Sequence, residues 1–307
     1  MQNASILEVE LGGSGGRIFT VRGRKIGPPK KIPVAKLTPE SLVRFIASQL
    51  RPGIVAIAVS TSGFVTKDGA IEHSTNTHFP PNVPLRQMIE AATGLPAVVM
   101  NDLWAGGTGS GIVFPKLAGK RYNCVNFGGG VGQCACEDGR VISPCEFGHS
   151  RIVDSIFARR CACGKQGCAE AYTGGESMRR EVLFTTDALG IGIPKGMHPC
   201  AFLDERFLAN DRWAIDIYRQ FAFAAGVYMA NFQLANPAPV YTLRGSLARK
   251  ALHLPGVMDW VEEQMSSELS GESWRPKFLF VPPPANGDPN DYDAILGAAS
   301  MAMKLVK

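Results

Sequence analysis

A chain of 307 residues that is 45% hydrophobic and 19% charged has the composition of a soluble protein and is long enough for two packed α/β lobes. The net charge of +5 is spread over scattered Lys and Arg with only short clusters, "RGRKIGPPKK" and "FARRCACGK", which reads as a solvated surface and argues against a nucleic-acid partner. No apolar run approaches the roughly 18 residues of a membrane span, and "MQNASILEVELGG" lacks a basic stretch followed by a long apolar one. The expectation is a cytoplasmic protein with no membrane partner, whose eight cysteines stay reduced as metal ligands or buried thiols.

In chain order, "ILEVEL" and "RIFTVRG" predict two strands joined by "GGSGG". A helix follows, with Thr38 as N-cap, Pro39 at its first position and Glu40 in its first turn, ending near Pro52. "GIVAIAVS" is a continuous apolar run, the mark of a strand buried on both faces. "FVTKDGAIE" predicts a hairpin turning at Asp68-Gly69. Asn82 is expected to cap a helix over "VPLRQMIEAAT" that stops at Gly94, and "AVVM" is another buried strand. The pattern then restarts: "RYNCVNF", "GGGVG", "QCACE" and "GRVIS" repeat strand, glycine loop and strand, with a turn at Asp138-Gly139. A long helix is predicted from about Trp213 to Ala235, ending at Asn236-Pro237. "PVYTLRG" and "KFLFV" read as strands, "VPPPANGDPN" as a loop and "DYDAILGAASMAMKLV" as a closing helix. The layout predicts an N-terminal lobe over 1–115, rejoined by the last helix at about 290–307, and a C-terminal lobe over 116–289.

Neither glycine loop fits a Rossmann or Walker site, because both lead into a second strand and neither ends in Gly-Lys-Ser/Thr. A hairpin tip can still bind phosphate, since inward-pointing backbone N–H groups form an anion nest and glycines let oxygens approach. Two such loops in corresponding positions could face one polyphosphate. The segment "CACGKQGCAE" supplies three thiolates, Cys161, Cys163 and Cys168, with Gly164 and Gly167 allowing the turn between them. Zinc takes four N or S ligands at tetrahedral corners, and a closed site holds no catalytic water. Cys134, Cys136 and Cys145 could form a competing site or simply pack a strand face. Cys124 and Cys200 read as small buried hydrophobes. After "AVVM", Asn101 and Asp102 fall just past the carboxyl end of a buried strand, where α/β sheets place their ligands. An isolated Asn-Asp there could also be a helix cap.

Over nearly its full length the chain resembles the ROK family of bacterial sugar kinases and sugar-responsive repressors. "ELGGSGG" is similar to the family's Asp-x-Gly-Gly-Thr phosphate motif and "GGGVG" to its Gly-Thr-Gly-x-Gly. "VMNDLWAG" resembles the segment with the catalytic aspartate, and "CEFGHS" the Glu-x-Gly-His element. "CACGKQGCAE" resembles the Cys-x-Cys-Gly-x-x-Gly-Cys-x-Glu zinc signature, "LANPAPVYTLRGS" the adenosine-side segment and "AILGAAS" the last helix. No helix-turn-helix region precedes the first strand, so the likeness is to the kinases.

The resemblance implies a two-lobed α/β fold of the hexokinase–actin (duplicated ribonuclease H-like) type with an inter-lobe cleft. It implies ATP-dependent phosphorylation of a hexose or amino sugar, glucose at its 6-hydroxyl foremost, by a dimer. His149 becomes the fourth ligand of a structural zinc, its other ring nitrogen aimed at a sugar hydroxyl. Glu146 and Glu170 converge on the same sugar, and Asn76 and Asn101 hold other hydroxyls. Asp102 becomes the general base. Glu10, Gly12, Gly13, Ser14, Gly128, Gly129, Gly130, Gly132 and Gly245 serve ATP and Mg²⁺.

The pattern departs in four places. Glu10 stands for Asp, Gly129 for Thr and Arg244 for Gly, and "LWAGGTGSG" replaces an alanine-rich helix start. Those departures keep open an alternative, a sugar-binding relative whose nucleotide side has decayed. A zinc-finger DNA-binding protein fails on its single closed clip, mild charge and missing recognition helix.

Overall fold

The computed structural model describes residues 4–12, 15–32, 37–74, 77, 79–143, 146–271, 274–282 and 292–306. Asn76, Gly13, Ser14 and Cys145 therefore lie outside the described residues. The strands are β1 (Ser5–Gly12), β2 (Gly15–Arg22), β3 (Lys25–Ile26), β4 (Lys30–Ile32), β5 (Ile54–Thr61), β6 (Phe64–Val65) and β7 (Ile71–His73). They continue as β8 (Ala97–Asn101), β9 (Arg121–Phe127), β10 (Val131–Glu137), β11 (Arg140–Val141), β12 (Val240–Arg244) and β13 (Lys277–Phe280). The helices are α1 (Pro39–Ser48), α2 (Leu85–Thr93), α3 (Asp102–Val113), α4 (Glu170–Thr173) and α5 (Gly175–Ala188). After these come α6 (Pro199–Leu208), α7 (Arg212–Ala235), α8 (Ser246–Lys250), α9 (Val257–Glu268) and α10 (Tyr292–Met303). The chain divides into two compact units, one of residues 1–120, 136–145 and 291–307, the other of residues 121–135 and 146–290.

The first unit is built on a sheet in the order β3-β2-β1-β5-β8, with β4 also on β2. β1 is antiparallel to β2 and parallel to β5, which is parallel to β8. The unbroken apolar run of β5 is explained by burial on both faces. Ile57 and Val59 pack with Leu42 and Ile46 of α1 and Leu85 and Ile89 of α2, while Ala56 and Ala58 pack with Ile295, Ala298 and Ala302 of α10. α1 begins as expected: Thr38 Oγ1 accepts from Ser41 N–H, Ser41 Oγ accepts from Thr38 N–H, and Pro39 opens the helix.

α3 forms in spite of four glycines, each costing about 1 kcal/mol against Ala in a helix. Close packing on α10 requires small residues here. A Cβ at Gly109 would lie 1.7 Å from Asp293 O, and one at Gly297 would lie 2.0 Å from Ala105 O.

The second unit has its strands in the order β10-β9-β12-β13, with β12 parallel to both neighbours. α7 lies across one face, burying Tyr218, Phe221, Tyr228 and Met229 with Val125, Phe127 and Leu243 of the sheet. Buried polar tethers fix that helix: Tyr241 Oη donates to Met229 O at 3.0 Å, and Asn123 Nδ2 donates to Gln233 Oε1 at 3.1 Å. The far end of β10 pairs antiparallel with β11 across the Asp138-Gly139 turn, where both residues have positive φ, 48° and 72°. Among the described residues no helix is long and apolar enough to cross a membrane.

Two expectations need correction. Asn82 does not cap α2, which starts at Leu85 without a side-chain cap bond. Asn82 instead takes φ 60° and Val83 bridges antiparallel to Ile71, so the chain stays extended past the expected cap. In addition, α5, α6, α8 and α9 occupy stretches to which the sequence assigned no element.

Glu8 went unnoticed in the sequence. It is 0% exposed, and Ser60 Oγ donates to its Oε1 at 2.8 Å. Burial, reinforced by the Glu10 charge, pushes its carboxyl well above the usual carboxylate range. A folded-state pKa raised above the unfolded one means that the native state binds the extra proton, so stability falls as pH rises above the unfolded carboxylate value. Glu8→Gln removes that dependence. The variant should gain thermal stability over the native protein increasingly from about pH 4.5 upward, and parallel melting curves for the two proteins across that range would reject a protonated Glu8.

Candidate active site and metal centre

The Cys161–Cys168 hairpin is shaped by two left-handed glycines, Gly164 (φ 88°) and Gly167 (φ 77°). Cys161 N–H donates to Lys165 O at 2.8 Å, and Gly164 N–H donates to Cys161 O at 3.0 Å, closing the turn. At Gly167 a Cβ would fall 1.9 Å from Val153 O, so the hairpin can lie against the preceding segment only with glycine there. His149 sits at the end of a short 3-10 turn, Phe147–His149. Gly148 brings that turn against β10, where a Cβ would meet Val131 O at 1.9 Å. Phe147 anchors it on α7, its ring centroid 5.8 Å from Tyr228 and 5.0 Å from Phe232.

These local structures bring His149, Cys161, Cys163 and Cys168 together, with one donor atom from each lying within 4.8 Å of the others. The set can hold a metal ion, and its edges test the fit. Tetrahedral bonds of about 2.3 Å to sulfur and about 2.05 Å to nitrogen give S···S edges of about 3.8 Å and S···N edges of about 3.6 Å. Cys163 Sγ and Cys168 Sγ are 3.7 Å apart, and Cys161 Sγ is 3.5 Å from His149 Nδ1. Three soft sulfur donors and an imidazole, with Cys161 and Cys168 buried and Cys163 and His149 half-buried, suit a structural site.

Two carboxylates flank the ring of His149. Glu146 Oε2 is 3.8 Å from Nε2, and Glu170 Oε1 is 3.9 Å from Nδ1. Glu170 Oε2 accepts from the backbone N–H of Val131 at 3.2 Å, just past the second glycine loop. On the other side of that loop, Gly245 follows β12 with φ 96°, and a Cβ there would lie 2.3 Å from Phe127 O. The second unit thus gathers Glu146, His149, Glu170, the three cysteines, Gly128, Gly129, Gly130, Gly132 and Gly245 around the carboxyl ends of β9 and β12. Arg244, the last residue of β12, is buried and alternates with Leu243, so it lies on the face away from α7.

Glu10, Gly12, Asn101 and Asp102 belong to the first unit. Strand register places them in one row: Leu11 pairs with Thr61, and Thr61 pairs with Asn101. Gly12 and Asp102 therefore emerge at matching positions on either side of β5, two strand spacings or about 10 Å apart. Glu10 carries a partner that the sequence did not reveal. Arg17, opposite it on β2, reaches its Oε2 at 2.9 Å.

At the end of β8 it is Asn101 that caps α3, its Oδ1 accepting from Leu103 N–H at 2.9 Å and Trp104 N–H at 3.3 Å. Its Nδ2 donates to Gly63 O at 2.8 Å. Asn101, expected as a sugar contact, also holds the strand-to-helix turn through its amide. Asp102 is the first helical residue and keeps partial exposure.

Residues 19–304 match the sequence profile of the ROK family. The chain belongs to the ROK family. A glucokinase of Streptomyces coelicolor is 30% identical over 268 residues, covering 78% of this chain and 80% of that one. An N-acetylmannosamine kinase of Vibrio cholerae is 29% identical over 138 residues, 42% of this chain and 46% of the relative. Among solved structures, a ROK family glucokinase from Streptomyces griseus in complex with glucose and AMPPNP superposes with a TM-score of 0.76. That match has 23% identity and covers 98% of this chain and 100% of the other. The ROK fold, a two-lobed α/β architecture, is therefore the fold of this chain.

Burial pushes the Cys161 and Cys168 thiols above their ordinary range, so metal uptake must release protons. Reduced protein should bind cobalt(II) with the intense visible bands of tetrahedral thiolate ligation, more tightly as pH rises. Cys163→Ser should weaken that binding by at least tenfold, since thiolate is the donor the ion selects. Absence of those bands in the native protein would reject the metal centre.

Proposed function

We propose that the chain is an ATP-dependent sugar kinase that transfers the γ-phosphoryl group to a hexose or amino sugar, with glucose and its 6-hydroxyl as the first choice. The observation that carries this reading is the imidazole of His149, held between the thiolate cluster on its Nδ1 side and the Glu146 carboxylate on its Nε2 side. The N-acetylmannosamine kinase relative covers less than half of the chain, which favours glucose as the first substrate.

We assign zinc to the cluster because three thiolates and an imidazole suit it. A zinc ion there is structural and fixes the tautomer of His149. With Nδ1 committed, Nε2 carries the ring proton and donates to a sugar oxygen. The hydroxyl hydrogen at that oxygen goes to Glu146, and Glu170 accepts from a neighbouring hydroxyl. Asn76 and Asn101 serve the remaining hydroxyls, Asn101 also through the cap it provides. Asp102 takes the proton from the attacking hydroxyl as its oxygen moves in line onto the γ-phosphorus. On the phosphate side, Gly12, Gly13 and Ser14 act from the first hairpin and Gly128, Gly129, Gly130 and Gly132 from the second. Gly245 lets the adenosine end approach β12, and Glu10 holds Mg²⁺ through water. The products are ADP and a sugar phosphate. The same reading makes the protein a cytoplasmic homodimer, which light scattering checks.

The decisive experiment follows ADP release from Mg-ATP over a panel of hexoses and N-acetylated hexosamines, with sugar binding measured by calorimetry alongside. Asp102→Asn should lower kcat by about a hundredfold to ten-thousandfold while sugar affinity holds within about threefold, because a general base acts in the transition state and not in ground-state binding. Full turnover by Asp102→Asn would remove the base assignment. Sugar binding without ADP release in the native protein would remove the kinase.

A further inference from the structure

The metal hairpin and the second glycine loop are joined by hydrogen bonds that fix peptide planes. Gly175 N–H donates to Gly128 O at 2.8 Å, and Glu176 N–H donates to Gly129 O at 3.0 Å. These are the opening amides of α5, which have no acceptor within their own helix. A trans peptide is planar, with the C=O of one residue and the N–H of the next pointing in opposite directions. Carbonyls of Gly128 and Gly129 aimed at α5 therefore turn the amides of Gly129 and Gly130 away from it. Two successive amides on one side form an anion nest.

The next amide is held from the metal side. Val131 N–H donates to Glu170 Oε2 at 3.2 Å, while Glu170 Oε1 lies 3.7 Å from Cys161 Sγ. One carboxylate thus reaches from the cluster to the end of the loop. The junction leaves no slack. A Cβ at Gly175 would stand 2.8 Å from Gly128 O, one at Gly174 3.1 Å from Gly129 O, and one at Gly130 2.5 Å from Glu170 Oε2.

We propose that the metal clip presets the nucleotide loop, with Glu170 and the Gly174–Glu176 junction as positioning residues that keep the Gly129 and Gly130 amides turned toward phosphate. The identity of the ligand rests on the kinase reading, whereas the coupling itself rests on these bonds. Cys168, Glu170 and Gly174 follow one another through the four residues of α4, so whatever frees the hairpin also frees both anchors of the loop. A lesion in the clip therefore weakens nucleotide binding even with no sugar present.

The test measures binding of a non-hydrolysable ATP analogue with Mg²⁺ by calorimetry, without sugar, together with hydrogen–deuterium exchange over residues 128–131. Chelator-stripped full-length protein, Glu170→Ala and Gly175→Ala are compared with the native protein. Each should bind the analogue roughly tenfold more weakly, the scale of losing a hydrogen bond to a charged group or its equivalent in strain. Each should also exchange the loop amides faster, and Gly175→Ala should do so with its metal retained. Glu170→Gln keeps an acceptor for Val131 N–H and should recover most of the lost affinity. Native-like affinity and exchange in Glu170→Ala and Gly175→Ala would overturn the coupling, even if the stripped protein unfolds. Should the native protein not bind the analogue at all, the kinase reading fails. Exchange then still decides the coupling, with faster loop exchange in the variants supporting it and equal rates overturning it.

Discussion

His149, Cys161, Cys163 and Cys168 each bring one donor atom within 4.8 Å of the others, and a tetrahedral ion shared among them would tie together the chain from His149 to Cys168. The apolar cluster beneath the hairpin consists of Cys161, Cys168 and Ala171, with Cys163 and Tyr172 partly buried beside them. The connection between His149 and Cys161 exposes Ile156 at 83% and Phe157 at 90%, while Ala158 is buried and Ile152 packs partly on the core under α7. Arg159 pins it outward, bonding Gln220 at 2.7 Å and Glu181 at 3.0 Å over the ring of Tyr172. An ion bound there would cross-link this segment, and its binding free energy would become local folding free energy.

Both units use one plan: a glycine-tipped hairpin whose first strand continues into a parallel sheet. Parallel strands bring their carboxyl ends to one edge, where successive loops can share a ligand. In the first unit the edge presents Gly12 and Asp102 on either side of β5; in the second it presents Gly128 beside Gly245. The two edges differ in charge. The first carries Glu10 with Arg17 and then Asp102, groups suited to a metal ion and a proton. The second sets the neutral backbone of Gly128 and Gly245, suited to phosphate oxygens, beside the carboxylates of Glu146 and Glu170 that flank His149.

What the sequence discloses and what it hides follow from range. Local signals were legible: the Thr38-Pro39 start of α1, the Asp138-Gly139 turn, the double-faced apolar run of β5, and the spacing of the three hairpin cysteines. Each depends on residues within one element. Glu10 with Arg17 was hidden because it depends on cross-strand register, which a two-residue shift in the glycine tip would change. α5 was hidden because it buries Met178, Val182 and Thr186 and leaves Phe184 exposed, so its apolar stripe is interrupted on both faces. The division of labour between Asn101 and Asp102 was also hidden: either could cap α3, and only the bonds from Leu103 and Trp104 assign the cap to Asn101. The glycines of "YTGGES" gave a signal that went unread. Two adjacent glycines at a helix start mark a close backbone approach, here to the loop at Gly128.

The departures from the family pattern weigh less in the structure than in the sequence. Gly129 forgoes a hydroxyl, yet on the proposed reading phosphate would be met chiefly by loop amides, and the carbonyls of Gly128 and Gly129 are bonded to α5 whatever side chain stands at 129. Arg244 lies buried on the sheet, with Gly245 as the residue that meets the loop. Glu10 is the sharper case, since its carboxylate is already paired with Arg17. The pair is about a quarter exposed on each side, and an ion pair so placed contributes only about 0–1 kcal/mol. A divalent ion arriving with a triphosphate brings a far stronger field than one guanidinium, and the phosphates offer Arg17 a replacement anion. Exchanging Glu10–Arg17 for Glu10–Mg²⁺ and Arg17–phosphate conserves the number of charge pairs. On the proposed kinase reading, the longer arm of Glu10 thus gives the carboxylate a resting partner in Arg17 that an arriving divalent ion would displace.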